Sequence, residues 1–474
     1  MQNEEQTSVI HRIIDRFALG PIWRKVFARK VPKSNWYYGD GATLMFLLLI
    51  LILTGGALAL MYSPAPASAY ESIVTITEKL YLGAFVRAIH YWSAGMMMII
   101  LVYHLFRHLL LGGYLPPREA TWIIGVLMLV LIIINGFLGY TLRWDERAVY
   151  AIRVALNIFH RIPWIGDELV VLIQGGWTQG QATLSRFYTL HIVIIPLLLL
   201  ALAGYHMYLV IYHGVTTIPE RVNPVETADE QRALYDKLKH SPKHGTRFFP
   251  HVLAESQMFA FCVIAIVLGL ATFLGPALLM PKGNYLSTSV PMEEWWWHWF
   301  SALSAYTPPA LTDVVYLGLP ILSVVVLLGL PLVDHGANRG LRRRPIALCF
   351  VIGSVVALLT LTGLRLESRW TAWPTTHLAP LPDNAELTPA ARQGHSLFTR
   401  YGCLSCHSIG GVGGGVGPSL TGLPTRLSLD ELKRYISAPP TDVAMPAYGH
   451  RLSEDELTAL ASFVLVAQTF PRTY

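Results

Sequence analysis

Apolar residues in this chain come in long blocks separated by short polar runs. Seven blocks, at about 42–62, 82–111, 121–141, 184–212, 252–275, 312–333 and 345–364, each reach the ~20 residues an α-helix needs to cross a bilayer. The pattern predicts an all-α, seven-span membrane protein. Lys and Arg number 18 in segments 1–41, 112–120, 214–251 and 334–344, against 6 in segments 63–81, 142–183 and 276–311. Short cytoplasmic loops carry the excess of positive charge, so the N-terminus is expected on the cytoplasmic side. Everything beyond about residue 365 is then expected on the outer, periplasmic side of a bacterial-type inner membrane. Residues 1–35 are polar and basic with no apolar centre, so no cleavable secretion signal is expected there. Residues 1–41 read as a cytoplasmic amphipathic segment.

Composition agrees with the pattern. With 53% hydrophobic and only 14% charged residues over 474 positions, a soluble enzyme is excluded. The net charge of +6 is spread over several loops, which fits a membrane surface and not a nucleic-acid partner. Cys262 and Cys349 fall inside apolar blocks and read as packed apolar side chains. With Cys403 and Cys406 they make no disulfide framework.

A polar, Pro-containing linker at 367–389 leads to Cys403-Leu404-Ser405-Cys406-His407. Two thiols at this spacing can form thioethers to a porphyrin, and the adjacent imidazole supplies an axial nitrogen. A zinc or redox dithiol is the alternative, but no second Cys/His pair accompanies this one. Helices are predicted over Ala390–Arg400, Leu429–Ile436 and Ser453–Ala467, with a glycine-rich loop at Gly410–Gly417 and Met445-Pro446 between them.

The second span contains His90 and His104, and the fourth contains His191 and His206. Spacings of 14 and 15 residues are about four helical turns, so each pair keeps to one helix face with members roughly 21 Å apart. Both spans run from outside inwards. Depth then pairs His90 with His191 near the outer face and His104 with His206 near the inner face, giving two bis-histidine haem sites. Ionisable residues inside spans are functional candidates because burying them is costly. Gly41 and Gly55 on the first span are 14 apart, as are Gly125 and Gly139 on the third. Glycines pack helices in membranes generally, but the repeated interval points to gaps for flat macrocycles. Arg87, Arg107 and Arg186 lie near the histidines, where they can neutralise haem propionates or simply snorkel to the interface.

On these residues the chain resembles the cytochrome b of quinol–cytochrome c oxidoreductases, most closely the bf-type. Residues 31–214 look like their four-helix cytochrome b, through Arg87-Ala-Ile-His90, His104-Leu-Phe-Arg107, Gly139-Tyr-Thr-Leu-Arg-Trp-Asp145 and Arg186-Phe-Tyr-Thr-Leu-His191. Residues 242–366 look like their three-helix subunit IV, including the run from Asn338 to Pro345. Residues from about 385 to the end resemble a small class I cytochrome c, in which Met445 matches the second axial ligand. The resemblance implies a four-helix bundle at 42–213, an extension at 242–366 and a cytochrome c domain at 390–474. It implies two haems b, one covalent haem c, an outer quinol site between the loops after spans three and five, and an inner quinone site. It also implies proton translocation, a separate Rieske iron–sulfur protein, a soluble or membrane electron acceptor and a homodimer.

Three departures stand out. The family's Pro-Glu-Trp-Tyr at the outer site becomes Glu293-Glu294-Trp295-Trp296, Arg143 replaces a proline before Trp144, and Gly39 takes the place of a haem-tethering cysteine. Glu294 is expected to accept a proton from quinol, its pKa raised by burial and by Glu293, with Tyr140 and Trp295 as neighbours. Alternatively, Glu293 and Glu294 form the acidic first turn of an interfacial helix. A non-catalytic haem anchor for a partner dehydrogenase is the competing function. Such an anchor needs neither the 242–366 extension nor Glu294.

Overall fold

A computed structural model describes residues 16–18, 20, 27, 29–32, 39–176, 178–214, 228–242, 244–283, 291–334, 344–367, 381, 387–410, 412–413, 417–421, 427–440, 445, 447–449 and 451–469. Most of the N-terminal segment and linker, the basic run before span seven and part of the glycine-rich loop lie outside the described residues.

Seven helices have the length and apolarity to span a bilayer: α1 (Asp40–Ala59), α3 (Gly83–Leu111), α4 (Glu119–Thr141), α7 (Gln181–His213), α9 (Phe248–Phe273), α11 (Val314–Val333) and α12 (Pro345–Glu367). Each begins and ends within a few residues of its predicted block. Between them lie α2 (Ala69–Glu78), α5 (Glu146–His160), α6 (Gly166–Gln174), α8 (Ala228–His240) and α10 (His298–Tyr306). Neither these short helices nor one strand pairing was predicted. Strand β1 (Lys30–Pro32) pairs antiparallel with β2 (Gly245–Arg247), tying the N-terminal segment to the entry of α9.

Helices α1, α3, α4 and α7 form one bundle. Helix α9 packs on α1 and α3, α11 on α4, and α12 on α3 and α10. Leu47, Met97, Ile100, Val263 and Val267 fill the seam joining α9 to the bundle. Trp122, Val126 and Val351, with Leu327 and Leu330, fill the seam under α11 and α12. Outward faces carry exposed Leu322, Val325, Ile346 and Leu359, as expected for surfaces solvated by lipid.

The C-terminal domain has its own core of Phe398, Leu404, Ile409, Leu460 and Phe463. It is built from α13 (Pro389–Arg400), a hairpin of β3 (Ser408–Ile409) and β4 (Val412–Gly413), α14 (Leu429–Ser437) and α15 (Glu454–Ala467). Ser428 with Glu431, and Ser453 with Glu456, form capping boxes that start α14 and α15.

Candidate functional site: stacked histidines, a buried carboxylate and a C-x-x-C-H turn

The predicted histidine pairs meet. The rings of His90 and His191 face each other with centroids 6.3 Å apart and planes at 83°. That separation suits two imidazoles on opposite sides of one metal at nitrogen distances of ~2.0–2.1 Å. His191 sits in a wide π turn, Leu190–Ile194, inside α7. Its Nδ1 lies 3.0 Å from the Asn135 carbonyl, and His90 Nδ1 lies 2.9 Å from Thr54 Oγ1. Thr54 uses its own proton on the Ile50 carbonyl at 2.6 Å, so it accepts from His90.

At the other depth, His104 and His206 line a cavity of about 290 Å³ together with Gly41, Gly125, Asp40, Arg107 and His108. His104 Nδ1 is 2.9 Å from Asp40, and Arg107 grips the same carboxylate with Nε and Nη2, each at 2.9 Å. All four predicted glycines back a histidine. A Cβ on Gly41, Gly55, Gly125 or Gly139 would lie 3.8, 3.1, 3.5 or 2.5 Å from Cε1 of His104, His90, His206 or His191 respectively. The donor set and these cradles fit two flat bis-histidine macrocycles.

Each of the three predicted arginines has a protein partner. Arg87 donates to Thr77 Oγ1 at 3.1 Å and to the Ala277 carbonyl at 2.5 Å, Arg107 is on Asp40, and Arg186 donates to the Leu172 carbonyl.

The loops after α4 and α9 meet around Glu294, which is 2% exposed. Arg143 Nη2 and Arg147 Nη1 lie 2.6 and 2.9 Å from its Oε1, and Tyr91 donates to Oε2 at 3.2 Å. The Arg143 guanidinium also stands 5.6 Å over the Tyr140 ring. Trp144 at φ +52 turns the chain sharply before Asp145 caps α5 by accepting from Ala148 N at 2.9 Å. Asp145 Oδ2 also accepts from Met280 N at 3.2 Å, and Glu146 N donates to the Pro281 carbonyl at 2.9 Å, closing one loop onto the other.

These contacts overturn the expected raised pKa of Glu294. Burial pushes it up, but Arg143 and Arg147 outweigh burial and hold it down at about 2. Glu293 does not compete for the same proton. Burial raises it too, but His298 Nδ1 at 3.1 Å and a bidentate Arg365 at 2.8 and 2.7 Å hold it at about 2. Nor do the two glutamates cap a helix: Glu294 has extended backbone and caps nothing with its side chain, and both carboxylates sit on arginines. Arg147, Arg365, Tyr91, Thr54 and Asp40 were missed from sequence. A lone Asp at the mouth of an apolar span was the one available signal.

In the C-terminal domain, Cys403 and Cys406 are unpaired thiols, and burial pushes both up to about 12. His407 Nδ1 lies 2.9 Å from the Pro418 carbonyl, and a Cβ on Gly417 would come within 2.6 Å of its ring. Met445 is half-buried against the domain core. Two thiols, an imidazole oriented through Nδ1 and a thioether fit one covalently held haem.

A membrane bundle with histidines paired at two depths, followed by a helical domain carrying C-x-x-C-H, defines a multi-pass membrane cytochrome. The family profile described as cytochrome b/b6/petB matches residues 27–214. Cytochrome b6 of Synechococcus sp. (strain JA-3-3Ab) is 38% identical over 185 residues, covering 39% of this chain and 86% of that protein. Cytochrome b6 of Synechococcus elongatus (strain ATCC 33912 / PCC 7942 / FACHB-805) is 36% identical over 203 residues, covering 43% and 94%. The chain belongs to the cytochrome b/b6 family, with a cytochrome c domain fused at its C-terminus. That domain, at residues 389–464, matches the profile described as cytochrome C oxidase, cbb3-type, subunit III. A chain of a hyperthermophilic respiratory complex III shares the fold over 84% of this chain and 96% of its own, with a TM-score of 0.65 and 24% identity.

Proposed function

We propose that this oxidoreductase subunit oxidises quinol at an outer site and reduces quinone at an inner one. It would do so through two haems b, held by His90 with His191 and by His104 with His206. Cys403, Cys406, His407 and Met445 would hold a haem c, which would supply a one-electron carrier towards a high-potential acceptor. The single observation that carries this reading is the meeting of four histidines in two pairs, each ring backed by a glycine. Bound haems supply one-electron carriers at those positions.

The chain's own residues do the rest. Thr54 and the Asn135 carbonyl orient the outer pair through Nδ1, leaving Nε2 for iron. Glu294, ionised between Arg143 and Arg147, is a fixed hydrogen-bond acceptor for a quinol hydroxyl. At neutral pH, gripped in this way, it takes up no proton. Tyr140 lines the same site, and Arg87, Arg107 and Arg186 would offset the propionate charge of bound haems.

In this reading residues 42–213 are the two-haem unit, 242–366 its extension, 367–389 a linker and 390–474 the cytochrome c unit. The N-terminus is cytoplasmic, the c domain lies on the outer side, and the complex is a homodimer that pumps protons with a separate Rieske protein. Quinol-driven reduction tests the reading. The purified complex, given a quinol, should reduce haem c and an added acceptor, and a preparation that reduces neither would contradict it.

A further inference from the structure

Of the four histidines paired in the membrane, two meet neutral partners at Nδ1 and a third meets none among the described residues. His90 faces the Thr54 hydroxyl and His191 the Asn135 carbonyl, while Nδ1 of His206 is buried without a hydrogen-bond partner. His104 differs. Its Nδ1 is 2.9 Å from Oδ2 of Asp40, the first residue of α1, whose side chain is fully buried. Arg107, one turn below His104, holds the same carboxylate in a bidentate grip at 2.9 and 2.9 Å, which pairs its charge and fixes its oxygens in place. A carboxylate accepts hydrogen bonds and donates none, so Nδ1 of His104 carries the proton and Nε2 is the free lone pair. The ring is thereby locked in one tautomer, with its free nitrogen available to the cavity it shares with His206.

We propose that Asp40 is a positioning and tuning residue for the inner haem: it makes His104 the most electron-rich of the four ligands and lowers that haem's reduction potential selectively. A carboxylate on the far nitrogen raises the basicity of a ligating imidazole. A more basic ligand beside a buried negative charge favours ferric over ferrous iron, and hydrogen bonds to an axial ligand are one of the levers that set haem potentials. Arg107 opposes the effect by its charge. The carboxylate still wins, because Oδ2 touches His104 directly while the guanidinium acts on the ring from behind it. No carboxylate meets either ring of the outer pair among the described residues, so Asp40 acts on one haem alone. The step in potential across the membrane is then adjustable from one side.

This inference rests on His104 and His206 holding a haem, and the two ideas fail separately. If His206→Ala retains both haems b, the ligand assignment falls. The inference itself is tested by redox titration of the purified complex carrying Asp40→Asn, which keeps size and hydrogen bond and removes the charge. One b-haem midpoint should rise by a tenfold or larger change in its redox equilibrium, about 59 mV for one electron. The other b haem and haem c should stay put, and Asp40→Glu should return towards the native value. Both midpoints unmoved in Asp40→Asn, with both haems present, would overturn the proposal. Nitrogen hyperfine spectra of the unmutated ferric protein, labelled with ¹⁵N-histidine, give a test that needs no variant. They should show two unlike ligands at the inner haem and two similar ones at the outer; equal ligands at both would overturn it.

Discussion

Glu294 carries a negative charge at a place that has almost no water. Two guanidiniums compensate it, at 2.6 and 2.9 Å. Removing one partner of a buried pair costs ~3–5 kcal/mol, because the other charge is left unpaired. Glu294→Gln therefore lowers the thermal midpoint of the complex while the haems stay bound. It also slows quinol oxidation ~10-fold or more, since a hydrogen bond to a charged group contributes ~1.5–3 kcal/mol. Unchanged turnover and unchanged melting together would remove Glu294 from the outer site. The acid side follows from sign. Both glutamates titrate at about 2 in the folded protein against an ordinary 4.5, so their contribution is complete above pH 4.5 and is lost as pH falls from there towards 2. An acid-unfolding curve should steepen in that window, and less so in Glu294→Gln. The sequence made the carboxylate visible but gave the wrong sign for its pKa. The arginines that decide it, Arg143 first and then Arg147, lie on a different loop far along the chain, and nothing in the intervening composition brings them to Glu294.

At the scale of the helix, periodicity was enough. Apolar blocks placed all seven spans within a few residues, and intervals of 14 and 15 put the histidines where His90 meets His191 and His104 shares a cavity with His206. The glycine intervals were legible for the same reason: both ends of each gap lie on one helix. Asp40 was not, because its partner His104 is on a different helix 64 positions away. The β1–β2 pairing was missed as well, since three-residue strands carry too few positions to show alternation. Gly139 gives the sharpest test at this scale. A Cβ there would stand 2.5 Å from the His191 ring, so Gly139→Val should abolish one b haem by filling its cradle and leave the inner haem and haem c intact. Pyridine haemochrome spectra of the purified variant check this, and full haem b content would argue that the glycine merely packs helices.

In the whole molecule, the loops after α4 and α9 carry the C-terminal domain. The 280–283 segment is bound to the start of α5, and Arg451 Nη2 of the C-terminal domain donates to the Lys282 carbonyl at 3.0 Å. The domain therefore rests on the same loops that enclose Glu294. At the opposite face, Gly39 lies so close to α9 that a Cβ would come 2.7 Å from the Ser256 carbonyl oxygen. A cysteine tether does not fit there. A chain ending at residue 380 should consequently give a blank haem stain on a denaturing gel, and a stained band would reveal a second covalent attachment. The central claim is two extractable haems b in series with one covalent haem c. It is tested most directly by haem analysis of the purified full-length complex beside its His206→Ala variant. Acid–acetone should remove two thirds of the haem from the native chain, and the variant should lose one haem b while keeping the other and haem c. An equal haem b content in the two proteins would contradict the account.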